Sequence, residues 1–251
     1  MEKKVWYLTG ASRGLGLALI KKLLAAGHRV AAASPCLPIL VDAVSQTPDA
    51  GFLPLEFDPA DENSVASSIR TTWETFGHID TVVNNAGYGA ADPGDTAAVI
   101  RNILPWLREQ GSGHIINISL AEHPADIGLP GLPANIGLRE HPANVGLREH
   151  PADIGLREHP ANVGLSDLTA EDLLYPDIHL TTVLAGAFGS GFPGLPAAHT
   201  ISIDGRQIGD PQKAAAALLE IAGLPTPPRL LFLASKAGKL AREKMAALSN
   251  I

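Results

Sequence analysis

The stretch from Val5 to Ala26 constrains this chain more than any other. Val5-Trp6-Tyr7-Leu8 is a short apolar, β-prone run that leads directly into Thr9-Gly10-Ala11-Ser12-Arg13-Gly14-Leu15-Gly16, and Leu17 to Ala26 then carries a helical pattern. That order predicts a strand, a glycine turn and a helix. Glycines suit such a turn because a Cβ would block both the tight backbone path and the approach of a pyrophosphate to the amides at the helix N-terminus. The spacing is Gly-x-x-x-Gly-x-Gly, so Gly10, Ser12, Arg13, Gly14, Leu15 and Gly16 are candidate contacts for such a ligand.

Strand and helix signals alternate along the chain, which predicts one α/β domain over residues 1–251. His28 to Ser34 reads as a second strand. The residue at the end of that strand selects the ribose, because an acid there bonds a 2'-hydroxyl and repels a 2'-phosphate. Ser34 stands there, with no acid, and Arg13 in the glycine turn offers a guanidinium suited to bidentate phosphate contact. NADP is therefore expected in preference to NAD.

The totals narrow the function classes. A hydrophobic share of 45% against 18% charged residues supplies enough apolar surface for a large core. A formal charge of -7 argues against nucleic-acid binding, which depends on basic surface to displace counterions. Cys36 is the single cysteine, which excludes an internal disulfide framework and fits a reducing compartment. Met1 to Leu8 lacks a signal-peptide pattern and no run of eighteen apolar residues occurs, so a cytoplasmic protein without a membrane span is expected.

Phe52 to Phe57 reads as a strand with Asp58 at its end, followed by a helix from about Asp61 to Phe76. Ile79 to Val83 then runs into Asn84-Asn85-Ala86-Gly87. Thr9-Gly-x-x-x-Gly-x-Gly16, Asp58 after the third strand and Asn-Asn-Ala-Gly after the fourth, in this order and spacing, resemble the short-chain dehydrogenase/reductase family. The resemblance implies a doubly wound, mainly parallel, Rossmann-like sheet. It also implies that Asp58 contacts the adenine, and that Asn84, Asn85, Ala86 and Gly87 line the adenine-ribose side. Its activity would be hydride transfer between a nicotinamide and a small alcohol or ketone.

The resemblance thins beyond this point. Gly113-His-Ile-Ile-Asn-Ile-Ser119 is similar to the family's fifth strand, but only 31 residues separate Gly87 from Ser119, fewer than family members usually have. The intervening helix, roughly Thr96 to Glu109, lacks the segment that supplies a structural and catalytic asparagine, and Asn102 reads as a helix-surface residue. In the family a serine after the fifth strand orients the substrate oxygen, and a Tyr-x-x-x-Lys helix follows. A phenol with an ordinary pKa of about 10 needs a nearby cation to exchange protons near neutrality. Here Leu120 takes the serine place with Ser119 one residue early, and Asn135 and Arg139 stand where Tyr and Lys are expected. An amide does not donate a proton as a phenol does, and Arg stays protonated. Tyr175, followed by Pro176, reads as a loop residue before the sixth strand.

Residues 121–165 fall into five nine-residue units, each with Pro at its fourth position and Gly at its eighth. This punctuation disfavours a continuous helix, so the segment is expected to interrupt the domain as an insertion. Its histidines at 123, 141, 150 and 159 match no metal-ligand spacing, and no metal is expected. Ile178 to Ala185 reads as the sixth strand, parallel to the fifth, and the turn at Gly186 would, by the resemblance, face the nicotinamide. Asp210 and Pro211 start a helix, Arg229 to Ala234 forms a last strand, and Lys236 to Leu248 closes as a helix. Three readings follow: an NADP-dependent oxidoreductase with an impaired proton donor, a catalytically inactive NADP-binding protein, or an interaction scaffold.

Overall fold

The computed structural model describes residues 3–44, 51–85, 94–120, 177–185 and 210–233. Seven strands form one sheet, β1 (Val5–Thr9), β2 (Arg29–Ser34), β3 (Phe52–Glu56), β4 (Thr81–Asn84), β5 (Gly113–Leu120), β6 (Ile178–Ala185) and β7 (Leu230–Leu233). Their spatial order is β3-β2-β1-β4-β5-β6-β7, and every pairing is parallel. The described helices are α1 (Gly14–Ala25), α2 (Leu37–Val44), α3 (Glu62–Phe76), α4 (Gly94–Gln110) and α5 (Pro211–Ile221). Order reverses between β1 and β4, where an open α/β sheet leaves its ligand crevice. This is the doubly wound α/β architecture that the sequence predicts.

A parallel sheet is covered on both faces, so its strands read as unbroken apolar runs. All five residues of β1 are buried. Side-chain alternation then sorts them: Trp6 and Leu8 join a core with α1 and α5, through Leu19, Leu23, Ala215 and Leu218. Val5 and Tyr7 join the opposite core with α3 and α4, through Val65, Ile69, Ile103 and Leu107. Burial of each large aliphatic side chain stabilises the fold by about 1.5–3 kcal/mol.

Local chemistry sets the helix ends. The Asp61 carboxylate accepts from the Asn63 N–H at 3.0 Å to start α3, and the Asp210 carboxylate accepts from the Gln212 N–H at 2.9 Å to start α5. The sequence reading leaves residues 35–51 without an element, yet α2 forms there. Its Pro38 falls in the first turn, where a missing N–H does no harm, and the Cys36 carbonyl accepts from the Leu40 N–H at 3.2 Å. α4 runs through Pro105, and α1 begins at Gly14 rather than Leu17. Residues 121–165, Tyr175 and the helix expected over Lys236 to Leu248 lie outside the described residues.

Histidine and charged side chains gather at the amino end of the sheet. The Lys4 N–H donates to His28 Nδ1 at 3.0 Å, and the Asp80 carboxylate accepts from the Val5 N–H at 2.6 Å. His78 Nε2 lies 3.2 Å from the same carboxylate. His114 is buried, and its Nε2 is 2.8 Å from Thr181 Oγ1, which in turn donates to the Pro228 carbonyl at 2.6 Å. Because the Thr181 proton goes to Pro228, Thr181 accepts from His114, so the neutral imidazole carries its proton on Nε2. Burial above all, then the nearby His179 and Lys4, pushes the His114 pKa down to about 4.

Candidate functional site

The crevice at the carboxyl ends of β1 and β4 is built from the glycine turn. Gly10 and Gly14 adopt φ values of 64° and 55°, in the left-handed region where a Cβ is strained. Gly16 is excluded from substitution by space: a Cβ there would run into the Gly10 carbonyl oxygen and lie 2.8 Å from Asn85 Nδ2. Arg13 occupies the N-cap of α1 with no side-chain capping bond, and the first turn of the helix holds no acid. The helix ladder begins with the Leu17 N–H donating to the Arg13 carbonyl at 3.2 Å, so the N–H groups of Gly14, Leu15 and Gly16 precede it. A positive helix end with three such amides is matched to a phosphate.

Asn85 holds this turn in place from the fourth strand. Its Nδ2 donates to the carbonyl oxygens of Gly10 at 2.9 Å and Thr9 at 3.4 Å, and its N–H donates to Thr9 Oγ1 at 3.1 Å. Three bonds thus tie residues 75 or 76 positions apart across the point where the sheet order reverses. Asn84, its neighbour, points into the sheet and donates from Nδ2 to Asn117 Oδ1 at 2.7 Å, with both residues buried. The remaining polar atoms Asn84 Oδ1, Asn85 Oδ1 and Asn117 Nδ2 are buried without a hydrogen-bonding partner. Asn117 is a residue that the sequence reading does not single out. Its signal is a carboxamide inside the apolar run Ile115 to Ile118, a pattern that a buried strand tolerates only with a partner.

The other candidates fall around this centre. Ser34 ends β2; it is buried, and its hydroxyl accepts from the Cys36 N–H at 3.3 Å and donates to the Cys36 carbonyl at 3.5 Å. Asp58 is exposed just beyond β3, where its carboxylate accepts from the Ala60 N–H at 3.0 Å. Pro35, Glu56, Phe57 and Asp58 share the lining of a cleft of about 620 Å³ with hydroxyl side chains of α3. Ser12 is half-buried and Arg13 exposed on the turn. Asn102 lies on α4 and donates to the Ala98 carbonyl at 2.8 Å and to Glu62 Oε1 at 3.3 Å, as a helix-surface residue does.

The proton-transfer residues are not brought together within the described part. Ser119 sits in β5 opposite Leu184 of β6. Ala86, Gly87, Asn135, Arg139 and Gly186 lie outside the described residues, as do Tyr88 and Tyr175. Tyr7 is no substitute phenol. Its hydroxyl donates to Ser68 Oγ at 2.8 Å, since the Ser68 proton goes to the Val65 carbonyl, and burial pushes its pKa above the ordinary tyrosine value. Among the described residues no group of three histidine, cysteine or acidic side chains could hold a metal ion, and no helix is long and apolar enough to cross a membrane.

Residues 4–99 match the family model described as short chain dehydrogenase. Oxidoreductase BOA17 of Botryotinia fuckeliana is 35% identical over 133 residues, which are 46% of this chain and 48% of that protein. A Haemophilus influenzae protein named "Probable NADP-dependent dehydrogenase" is 32% identical over 137 residues, 47% of this chain and 54% of its own length. The chain thus spans about half the length of the curated relatives it matches. Among solved structures, a short-chain dehydrogenase from Streptomyces avermitilis superposes with a TM-score of 0.70 at 23% identity, over 99% of this chain and 95% of that one. That likeness is one of fold, and it extends past the stretch in which sequence similarity is found.

Proposed function

We propose that this chain, whose residues 4–99 match the short chain dehydrogenase family model, binds NADP in the crevice between β1 and β4. The observation that carries this reading is the joint fit of Gly16 and Asn85: the helix glycine leaves no room for a Cβ, and the amide fixes the turn carbonyls. In this reading the amides of Gly14 to Gly16 hold the pyrophosphate, with Ser12 beside them and Arg13 on the 2'-phosphate. By the family resemblance Asp58 would serve the adenine, Asn84 to Gly87 the ribose side, with Asn84 bonded back into the sheet through Asn117, and Gly186 the nicotinamide. The relative named as NADP-dependent supports the choice of dinucleotide.

When bound, the cofactor would supply a hydride for a small ketone or accept one from an alcohol. The chain's own part is to move the matching proton. Ser119 is the one candidate for the substrate oxygen, and Asn135 and Arg139 in place of a tyrosine and a lysine leave the transfer without its usual acid. A second reading, a dinucleotide-binding protein without turnover, is favoured by that replacement. A single cysteine, Cys36, supports placement in the reducing cytoplasm. Titration with NADPH, followed by its oxidation over a panel of ketones, tests both. Binding with turnover supports the oxidoreductase, binding without turnover supports the second reading, and absence of binding in folded protein removes both.

A further inference from the structure

We propose that Glu56 is a specificity-determining residue for the ribose of the bound dinucleotide, a carboxylate supplied by the third strand beside a second strand that carries none. The inference rests on the dinucleotide reading above. In a Rossmann sheet the acid that discriminates between cofactors sits at the carboxyl end of the second strand and acts on the 2' position. Here that end is Ser34, which is 1% exposed and whose hydroxyl is bonded to the backbone of Cys36 in both directions. Ser34 therefore turns the chain and is poorly placed to reach a ribose.

Across the β2–β3 pair, Ser34 stands directly opposite Glu56, and the pairing continues through the Phe57 N–H, which donates to the Ser34 carbonyl at 3.1 Å. Neighbouring strands lie about 4.8 Å apart, a gap that a glutamate side chain spans. Alternation puts the two on one face. Val30 and Ala32 of β2 and Phe52 of β3 pack with α1, and Ser34 and Glu56 fall on that side by the period of two. Ser34 is buried and Glu56 exposed, so at these paired strand tips it is the carboxylate that meets solvent. The cleft that Pro35, Glu56 and Asp58 border is walled by α3 on the other face of the sheet, so Glu56 meets it at the strand end while alternation keeps its carboxylate on the α1 side. Of the other two acids there, Asp58 accepts from the Ala60 N–H and Asp61 from the Asn63 N–H, each at 3.0 Å.

A carboxylate in that position accepts a hydrogen bond from the 2'-hydroxyl of NAD and repels the 2'-phosphate of NADP. It works against Arg13, so the margin between the two cofactors is narrower than the glycine turn alone implies. Near a protein surface, one such charge contact is worth about tenfold in affinity.

The test is a titration of the full chain with NADPH and with NADH, read by fluorescence and calorimetry, for the native protein and for Glu56→Gln and Glu56→Ala. Both variants change an exposed side chain, and thermal melts matched to the native protein verify their fold. The expected result is a gain of about tenfold in NADPH affinity and a loss of NADH affinity in both variants, a shift in ratio of more than tenfold. If both dinucleotides bind and the ratio stays within about twofold in both variants, the assignment of Glu56 is overturned while dinucleotide binding stands. If neither dinucleotide binds to the native protein or the variants, the dinucleotide reading and this inference fall together.

Discussion

The two ends of the sheet solve the problem of buried polar groups differently. At the carboxyl end the work is done by carboxamides: Asn85 on the glycine turn and Asn84 on Asn117. At the amino end it is done by titratable side chains, among them His28, His114 and Asp80. Amides keep their hydrogen-bonding pattern at any pH that leaves the protein folded, so the glycine turn is held by groups that do not change charge. The amino end makes stability depend on protonation instead, through the buried His114.

The largest effect is expected from Gly16→Ala, because the added carbon meets backbone and not a movable side chain. Dinucleotide affinity should fall by at least about a hundredfold, with about 1–3 kcal/mol of stability lost to overpacking, as measured by NADPH titration and denaturant unfolding. Binding that survives within a few-fold would break the claim that the carboxyl end is built around this turn.

Acid should act on the opposite end. His114 binds its proton at about pH 4 in the folded protein and near its ordinary value of 6.5 when unfolded, so on acidification the unfolded state takes the proton first. Its contribution is complete above about pH 6.5 and drains away as pH falls towards 4, by about 3 kcal/mol in all. Denaturant melts across that range should show the loss in the native protein and a flatter profile in His114→Gln. Equal slopes would remove the contrast between the ends.

Asn85→Ala deletes the two side-chain bonds to the Thr9 and Gly10 carbonyls and should cost about 2 kcal/mol, independent of pH between 5 and 8. A weakening of NADPH binding by roughly tenfold should accompany it in the same titration. The smallest change is expected at mid-sheet. Tyr7→Phe removes one buried bond while Ser68 keeps its own to Val65, for about 1 kcal/mol by thermal melting and no effect on ligand binding.

The sequence reveals the carboxyl end more fully than the amino end, for a physical reason. Thr9 to Gly16 and Asn84-Asn85 are short contiguous runs whose local geometry dictates their residues, so strand, turn and helix can be read in place. The bond from Asn84 to Asn117, 33 positions away, depends on strand register, which single residues do not announce. The same holds for His114 and Thr181, 67 apart and joined only once β5 and β6 pair. α2 is short, eight residues, and its Pro38 sits in the first turn, where the missing N–H costs nothing. Asn135 and Arg139 stand at the acid-base positions by resemblance alone, and the phenol of the described sheet, Tyr7, is buried and bonded to Ser68.

One contact joins the beginning of the chain to its last third. Lys4 Nζ donates to the carbonyl of Ala222 at 2.6 Å, 218 residues later, beside the face that α1 shares with α5. During synthesis at about 5–20 residues per second, α1 would therefore wait roughly ten to forty seconds for the helix that completes its cover. The glycine turn and α1 are thus sealed by a helix made much later. A growing chain would carry that apolar stripe past the ribosome exit, where a chaperone that holds exposed Leu and Ile side chains has its opportunity to bind.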